Sequence, residues 1–229
     1  MKTIKHNYIL LIIVAFSLTA CQKEDSVNVN QDRIFAAYEL FYDQNEDLTT
    51  AKAVFTFGNR TGTRLTLSEG SSVNFDGKQM TYDELTGAYL SEMAGYKASG
   101  TFVFEDLDTG VFTNSVELNP ISFDANVPDT IDSTVSYEIG WEGDPVMSNR
   151  STVAATVVPN NTEQTKVFLQ TSMGAENVTL TTNKLQEIDP QPGNILLERG
   201  TEYDLSEKSS AGGVITARYR TNAKSITIE

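Results

Sequence analysis

One histidine, His6, and one cysteine, Cys21, are all the imidazole and thiol in the 229 residues, and basic residues number only 17 against 31 acidic ones. Each shortage closes a class of chemistry. His6 falls in an N-terminal leader, so the mature chain has no imidazole. Ser-His-Asp and Cys-His catalysis are thereby excluded, and zinc loses its commonest ligand. The net charge of −14 drops by two more when Lys2 and Lys5 leave with the leader. That balance opposes a surface that tracks phosphates, and no nucleic-acid partner is expected. Long apolar runs are scarce as well. Residues 8–16 are apolar throughout, but nine residues span only about 14 Å as a helix, roughly half a bilayer's hydrocarbon. A permanent transmembrane helix is disfavoured. What remains, 39% hydrophobic and 21% charged, is enough to build globular cores.

The leader has the parts of a secretory signal. Lys2 and Lys5 precede the apolar run, and Ser17, Thr19 and Ala20 are small residues just before Cys21. Leu18-Thr19-Ala20-Cys21 resembles the bacterial lipobox, which implies cleavage after residue 20 and acylation of Cys21; cleavage nearby by an ordinary signal peptidase is the alternative. Two or more acyl chains would hold the product on a membrane stably. Residues 22–32 are polar without an apolar period and read as a flexible tether. Cys21-Gln22-Lys23-Glu24-Asp25 is similar to the export signal of Bacteroidetes-type surface lipoproteins, which implies an outer-membrane location facing the cell exterior.

Beyond the tether the hydrophobic period is close to two, the mark of half-buried strands. Val135, Tyr137, Ile139 and Trp141 alternate with polar residues or glycine. Similar runs include Ala53, Phe55 and Phe57; Phe102 and Phe104; Val153, Ala155 and Val157; Ile215, Ala217 and Tyr219; and Ile226 and Ile228. Turn formers such as Asp76-Gly77, Pro159-Asn160-Asn161 and Gly212-Gly213 separate them. Leu85, Tyr89 and Met93 at four-residue spacing offer one possible short helix over residues 82–93, weakened by Gly87. The expected class is all-β. Residues 21–229 are too many for one ordinary sandwich, so two antiparallel immunoglobulin-like sandwiches are expected: residues 1–20 signal peptide, 21–32 lipidated cysteine and tether, 33–120 first sandwich, 121–133 linker and 134–229 second sandwich. The strand patterns of residues 38–43 and 51–57 resemble those of uncharacterised tandem-sandwich lipoproteins of the same bacterial group, which supports the architecture and location and leaves activity open.

Candidate sites are few. Glu138, Glu142 and Asp144 beside Trp141 could in principle supply a carboxylate pair, but alternation points Glu138 outward, and no catalytic residue is assigned. Asp43-Gln44-Asn45-Glu46-Asp47 opens like a calcium loop, then has Leu48 where a glycine is needed and Val54 where the closing glutamate belongs. Asp106-Leu107-Asp108-Thr109-Gly110 is equally short of a full pattern. Neither metal nor cofactor is expected. Trp141, Tyr89 and Tyr96 could form an aromatic platform for a sugar ring; Trp141 shares an apolar face and suits a core, whereas Tyr89 and Tyr96 suit exposed chain. Asp25-Ser26-Val27, Asp129-Thr130-Ile131 and Asp132-Ser133-Thr134 resemble Bacteroidetes-type O-glycosylation sites, which implies Ser26, Thr130 and Ser133 as acceptors on accessible chain.

These features fit a non-catalytic protein held to the membrane through its acylated N-terminus and displaying sandwiches for adhesion, assembly or binding of a protein or glycan. A carbohydrate-capturing lipoprotein resembling the accessory binders of polysaccharide-uptake systems is the alternative, and it requires exposed aromatics.

Overall fold

The computed structural model describes residues 23–108 and 110–229. Cys21 and the whole leader lie outside the described residues. As the alternation requires, the fold is all-β. In chain order the elements are β1 (Lys23–Asp25), β2 (Ile34–Asp43), β3 (Leu48–Phe57), β4 (Arg64–Thr66), β5 (Ser72–Phe75), β6 (Lys78–Gln79), β7 (Thr81–Asp83), β8 (Ala88–Ala94), β9 (Ser99–Glu105) and β10 (Val111–Glu117). The second half continues with β11 (Ser122–Phe123), β12 (Thr130–Ile131), β13 (Tyr137–Glu142), β14 (Ser151–Pro159), β15 (Lys166–Gln170), β16 (Asn177–Leu180), the single-turn helix α1 (Thr182–Leu185), β17 (Gln191–Asp204), β18 (Gly213–Arg220) and β19 (Lys224–Ile228).

One large sheet spans both halves in the order β1-β4-β3-β2-β18-β17-β14-β15, with β8 and β7 continuing from β3, and β19 and β12 from β17. Two smaller sheets cover it, β10-β9-β5-β6 over the first half and β11-β13-β16 over the second. Each half thus has its own cover and both share one base. Antiparallel pairing dominates, but the expectation of purely antiparallel sheets fails at β1–β4, β12–β19 and above all β2–β18, which pair in parallel. The physical reason is distance along the chain: parallel neighbours need a long crossover, and here most of the protein supplies it. The β2–β18 register runs from Gly213 opposite Ala36 to Arg220 opposite Asp43. A Cβ on Gly213 would stand 2.6 Å from the Ala36 carbonyl oxygen, so the strand can close here only without a side chain.

The buried apolar residues form one continuous core whose composition changes from one cover to the other. In the first half Phe102 stacks on Tyr38 at 4.6 Å and meets Phe75 edge-on at 4.8 Å, while Phe55 lies against Phe104 and Tyr89. In the second, Ile139, Val178 and Leu180 are buried with Val153, Ala155, Val157, Ile195 and Leu197. On the outer face of β2–β18, Arg218 bonds Glu39 and Glu198, Arg220 bonds Asp43 and Glu198, and both guanidiniums lie over the Phe41 ring. Burial works against the Arg218 charge, yet Glu39 and Glu198 outweigh it and raise its pKa.

Three local expectations are corrected. Residues 23–32 are not a loose tether: β1 pairs with β4, and Ser26 and Gln31 are buried, the Gln31 amide donating to the Ser26 and Val29 carbonyls. Polar residues pack here because their hydrogen bonds are met within the protein. Residues 121–133 are likewise not a loose connection, for they place Ile121, Val127 and Ile131 in the core and pair β11 with β13 and β12 with β19. Residues 82–93 form no helix but the β7–β8 hairpin. Gly87 at φ 63° turns it, and the Asp83 carboxylate accepts from the Leu85 and Thr86 amides. The four-residue spacing that suggested a helix also fits alternate positions on a strand.

Candidate functional site

Trp141 sits on β13 with its ring in the core, and its indole Nε1 donates to the Asp144 carbonyl at 3.0 Å. Tyr89 is also packed, 8% exposed, between Phe55 and Tyr82, its hydroxyl accepting from the Leu67 amide. Exposure was expected there, and the correction follows from a hydroxyl that finds a backbone partner when the ring is buried. Tyr96 alone of the three is open, at 43%, and even it leans edge-on against Tyr42 and Tyr219. The structure therefore does not bring the three rings into one platform.

The acidic motifs are occupied locally. Glu138, Glu142 and Asp144 are exposed. Asp43 accepts from Asn45 and pairs with Arg220, Asp47 accepts from the Tyr42 hydroxyl, and Asp106 accepts from the Asp108 and Gly110 amides. Burial first, with Asp47 beside it, pushes the Tyr42 hydroxyl up to about 12. Among the described residues no three His, Cys, Asp or Glu side chains converge to hold a metal. Of the expected glycan acceptors, Ser26 is fully buried and its hydroxyl bonds Ser68, so it is not on accessible chain. Thr130 is exposed on β12 and Ser133 is partly exposed after it.

A different set of residues converges where the long strand β17 ends. Its inward positions run Ile195, Leu197, Arg199, Thr201 and Tyr203, so the phase that buries two aliphatic residues next buries a guanidinium. Arg199 is 5% exposed and pairs with no carboxylate; it donates to the Pro120 and Asp144 carbonyls. Burial pulls its pKa down, with the nearby Asp144 charge opposing. Trp141 and Arg199 thus hold the same carbonyl, and this fixes the chain before β14.

Arg199 lines a cavity of about 250 Å³ with Asn119, Asp144, Val146, Met147, Ser148 and Thr201. The Ser148, Ser151 and Thr201 hydroxyls form a chain along it, with links of 3.0 and 3.1 Å. A second cavity of about 300 Å³, lined by Asn114, Ser115, Glu117 and Ser206, adjoins it. Asn119 and Tyr203 line both, so the 42% exposed Tyr203 ring stands between two hollows of one groove. Glu202, next to it, is held by Arg150 and Arg60, and Asp204 by Arg150.

An exposed aromatic face beside hydroxyl and amide side chains suits a polar ligand with a flat apolar face, with the buried Arg199 charge set against the Asp144, Glu117 and Asp204 carboxylates that also line the two hollows. Comparison with protein-family models yields no match, and comparison with curated proteins yields none either. Sequence reasoning missed Arg199 and Tyr203. The available signal was phase: Arg199 is a charged residue on the inward side of an otherwise apolar alternation.

Proposed function

We propose that this protein is a non-catalytic, lipid-anchored module of the outer-membrane surface, displaying its shared-sheet β body so that the Tyr203 groove binds a partner. The observation that carries the reading is this groove, where an exposed ring, a chain of hydroxyls and a buried guanidinium in no ion pair face the same hollow. Thr130 and Ser133 are the glycan acceptors consistent with it, because both lie on at least partly open chain.

Capture of a glycan is the second reading, supported by Tyr203 rather than by Trp141 or Tyr89. Binding of the purified protein to arrays of polysaccharides and of peptides tests both. Tyr203→Ala should reduce binding at least about tenfold while leaving stability within about 0.5 kcal/mol, as expected for a surface ring. Binding that survives the substitution rules the groove out; a signal only on peptides rules out the glycan reading.

A further inference from the structure

The large sheet begins almost at the anchor. Lys23 is the first residue of β1, and two residues of extended chain cover at most about 7 Å, so the Cys21 Cα lies within that reach of the folded body. Only Gln22 stands between them. If Cys21 is acylated, the body cannot stand away from the lipid, and the surface around Lys23 must lie against it.

That surface is the tip of the β7–β8 hairpin. Lys23 Nζ bonds Glu84 at 2.8 Å and lies 4.5 Å above the Tyr82 ring, while Arg64 Nη1 donates to the Thr86 and Gly87 carbonyls at 2.9 and 3.2 Å. The hairpin tip is therefore tied both to β1 and to β4, the partner strand of β1. At its apex Leu85 is 96% exposed, more than any other large hydrophobic residue among those described. It is not loosely placed: the Asp83 carboxylate accepts from its amide at 2.7 Å. Lys23 and Arg64 offset Asp83 and Glu84 here, whereas the whole chain is strongly acidic. Glu24 and Asp25 follow on β1, so the tip, rather than the rest of that edge, is the part that approaches phosphate headgroups without net repulsion.

We infer that the Leu85 hairpin tip is a lipid-contact surface, seated in the headgroup layer beside the acyl anchor and fixing the orientation of the body on the membrane. This rests on acylation of Cys21. Leu85 would enter the interfacial layer, roughly 5–8 Å thick on each side of the hydrocarbon, as apolar residues of interfacial segments do. The opposite edge of the sheet, at β15, is seven strand spacings from β1, about 34 Å. Met173, in the loop just beyond β15 and 71% exposed, serves as the far-edge control.

The test uses the full acylated chain in phosphatidylcholine vesicles doped with a lipid carrying a nitroxide at the headgroup. With the Cys21 sulfur acylated, Leu85→Cys and Met173→Cys each give one thiol for an environment-sensitive fluorophore. Flotation is measured on the same samples. The expected result is quenching roughly twofold or more stronger at position 85 than at 173. Equal quenching on vesicles that carry the protein overturns the lipid contact and leaves the anchor standing. Failure to float overturns the anchor and the contact with it. A label at 85 that is blue-shifted but not quenched overturns the lipid contact in favour of a second copy of the chain. Inserting about ten Gly and Ser residues between Gln22 and Lys23 should cut quenching at 85 by about half or more without loss of flotation; quenching that survives unchanged overturns the role given to the short leash.

Discussion

The ring-rich part of the core under β10-β9-β5-β6 and the largely aliphatic part under β11-β13-β16 rest on the same base sheet, yet they are built from different side chains. In the first, rings such as Phe102, Tyr38, Phe55 and Phe104 meet at 4.6 to 6.3 Å. In the second, β-branched and aliphatic residues from β13, β14, β16 and β17 fill most of the space, with Trp141 and Phe168 the buried large rings beside them. Gly100 shows what the first arrangement demands, because a Cβ there would fall 1.9 Å from the Phe75 ring. Rings need gaps of matching shape, while aliphatic layers fill more evenly. The halves should thus respond differently to the loss of one residue and alike to a break in the sheet that joins them.

The largest effect is expected from truncating a ring. Phe102→Ala should cost about 4 kcal/mol and Leu197→Ala about 3 kcal/mol by denaturant unfolding, since both are fully buried and the aromatic pair adds to the cavity cost. Equal losses would show that ring geometry contributes nothing beyond area. Next comes the joint between the halves. Glu198→Ala removes the shared acceptor of Arg218 and Arg220, whose side chains are 28% and 32% exposed. The loss should be about 1–2 kcal/mol, discounted for solvent screening. Hydrogen exchange should rise in both β2 and β17; a rise confined to one would mean that the halves are stabilised separately.

The smallest effect separates the halves by pH. The Thr134 hydroxyl and amide lower the Asp132 pKa, Lys166 lowers that of Glu187, and Arg150 lowers that of Asp204. Burial opposes the Glu202 charge, but Arg150 and Arg60 prevail and lower it too. In the first half the clear case is Asp32, held by Ser210. Groups whose folded pKa lies below the unfolded value stabilise above the ordinary carboxylate range near about 4 and lose that contribution as pH falls through the depressed values. Hydrogen exchange on acidification from pH about 5 to about 2 should therefore loosen the second half first. Simultaneous loosening would mean that the shared sheet overrides local charge.

The all-β class was legible because alternation is local. Ala53 and Phe55, Phe102 and Phe104, Val153 to Val157, and Ile226 and Ile228 are buried in the phase their spacing indicates. Asp76-Gly77 turns as its residues suggest, with φ of 48° and 77°. The β2–β18 pairing was not legible, since no local period records which distant strand is a neighbour. Docking of residues 23–32 was hidden for a related reason: Ser26 and Gln31 look like solvated chain until the groups that satisfy them are known. At the candidate site, Trp141 could be placed in a core from its own strand. Tyr203 could not be exposed on paper, because it keeps the inward phase of β17 and is open only where the covering layer stops.

The parallel β2–β18 joint also sets an order of events during synthesis. Its side-chain contacts link residues up to 179 positions apart, as Arg218 and Glu39 are. At translation rates of about 5–20 residues per second, β2 waits roughly 10 to 35 s for the strand that completes its pairing. For all that time one backbone edge of the nascent chain stays open to strangers. A ribosome that stalls before residue 213 would release a polypeptide that holds every ring of the aromatic cluster but leaves the β2 border sticky, a far greater hazard than one that stops after residue 220.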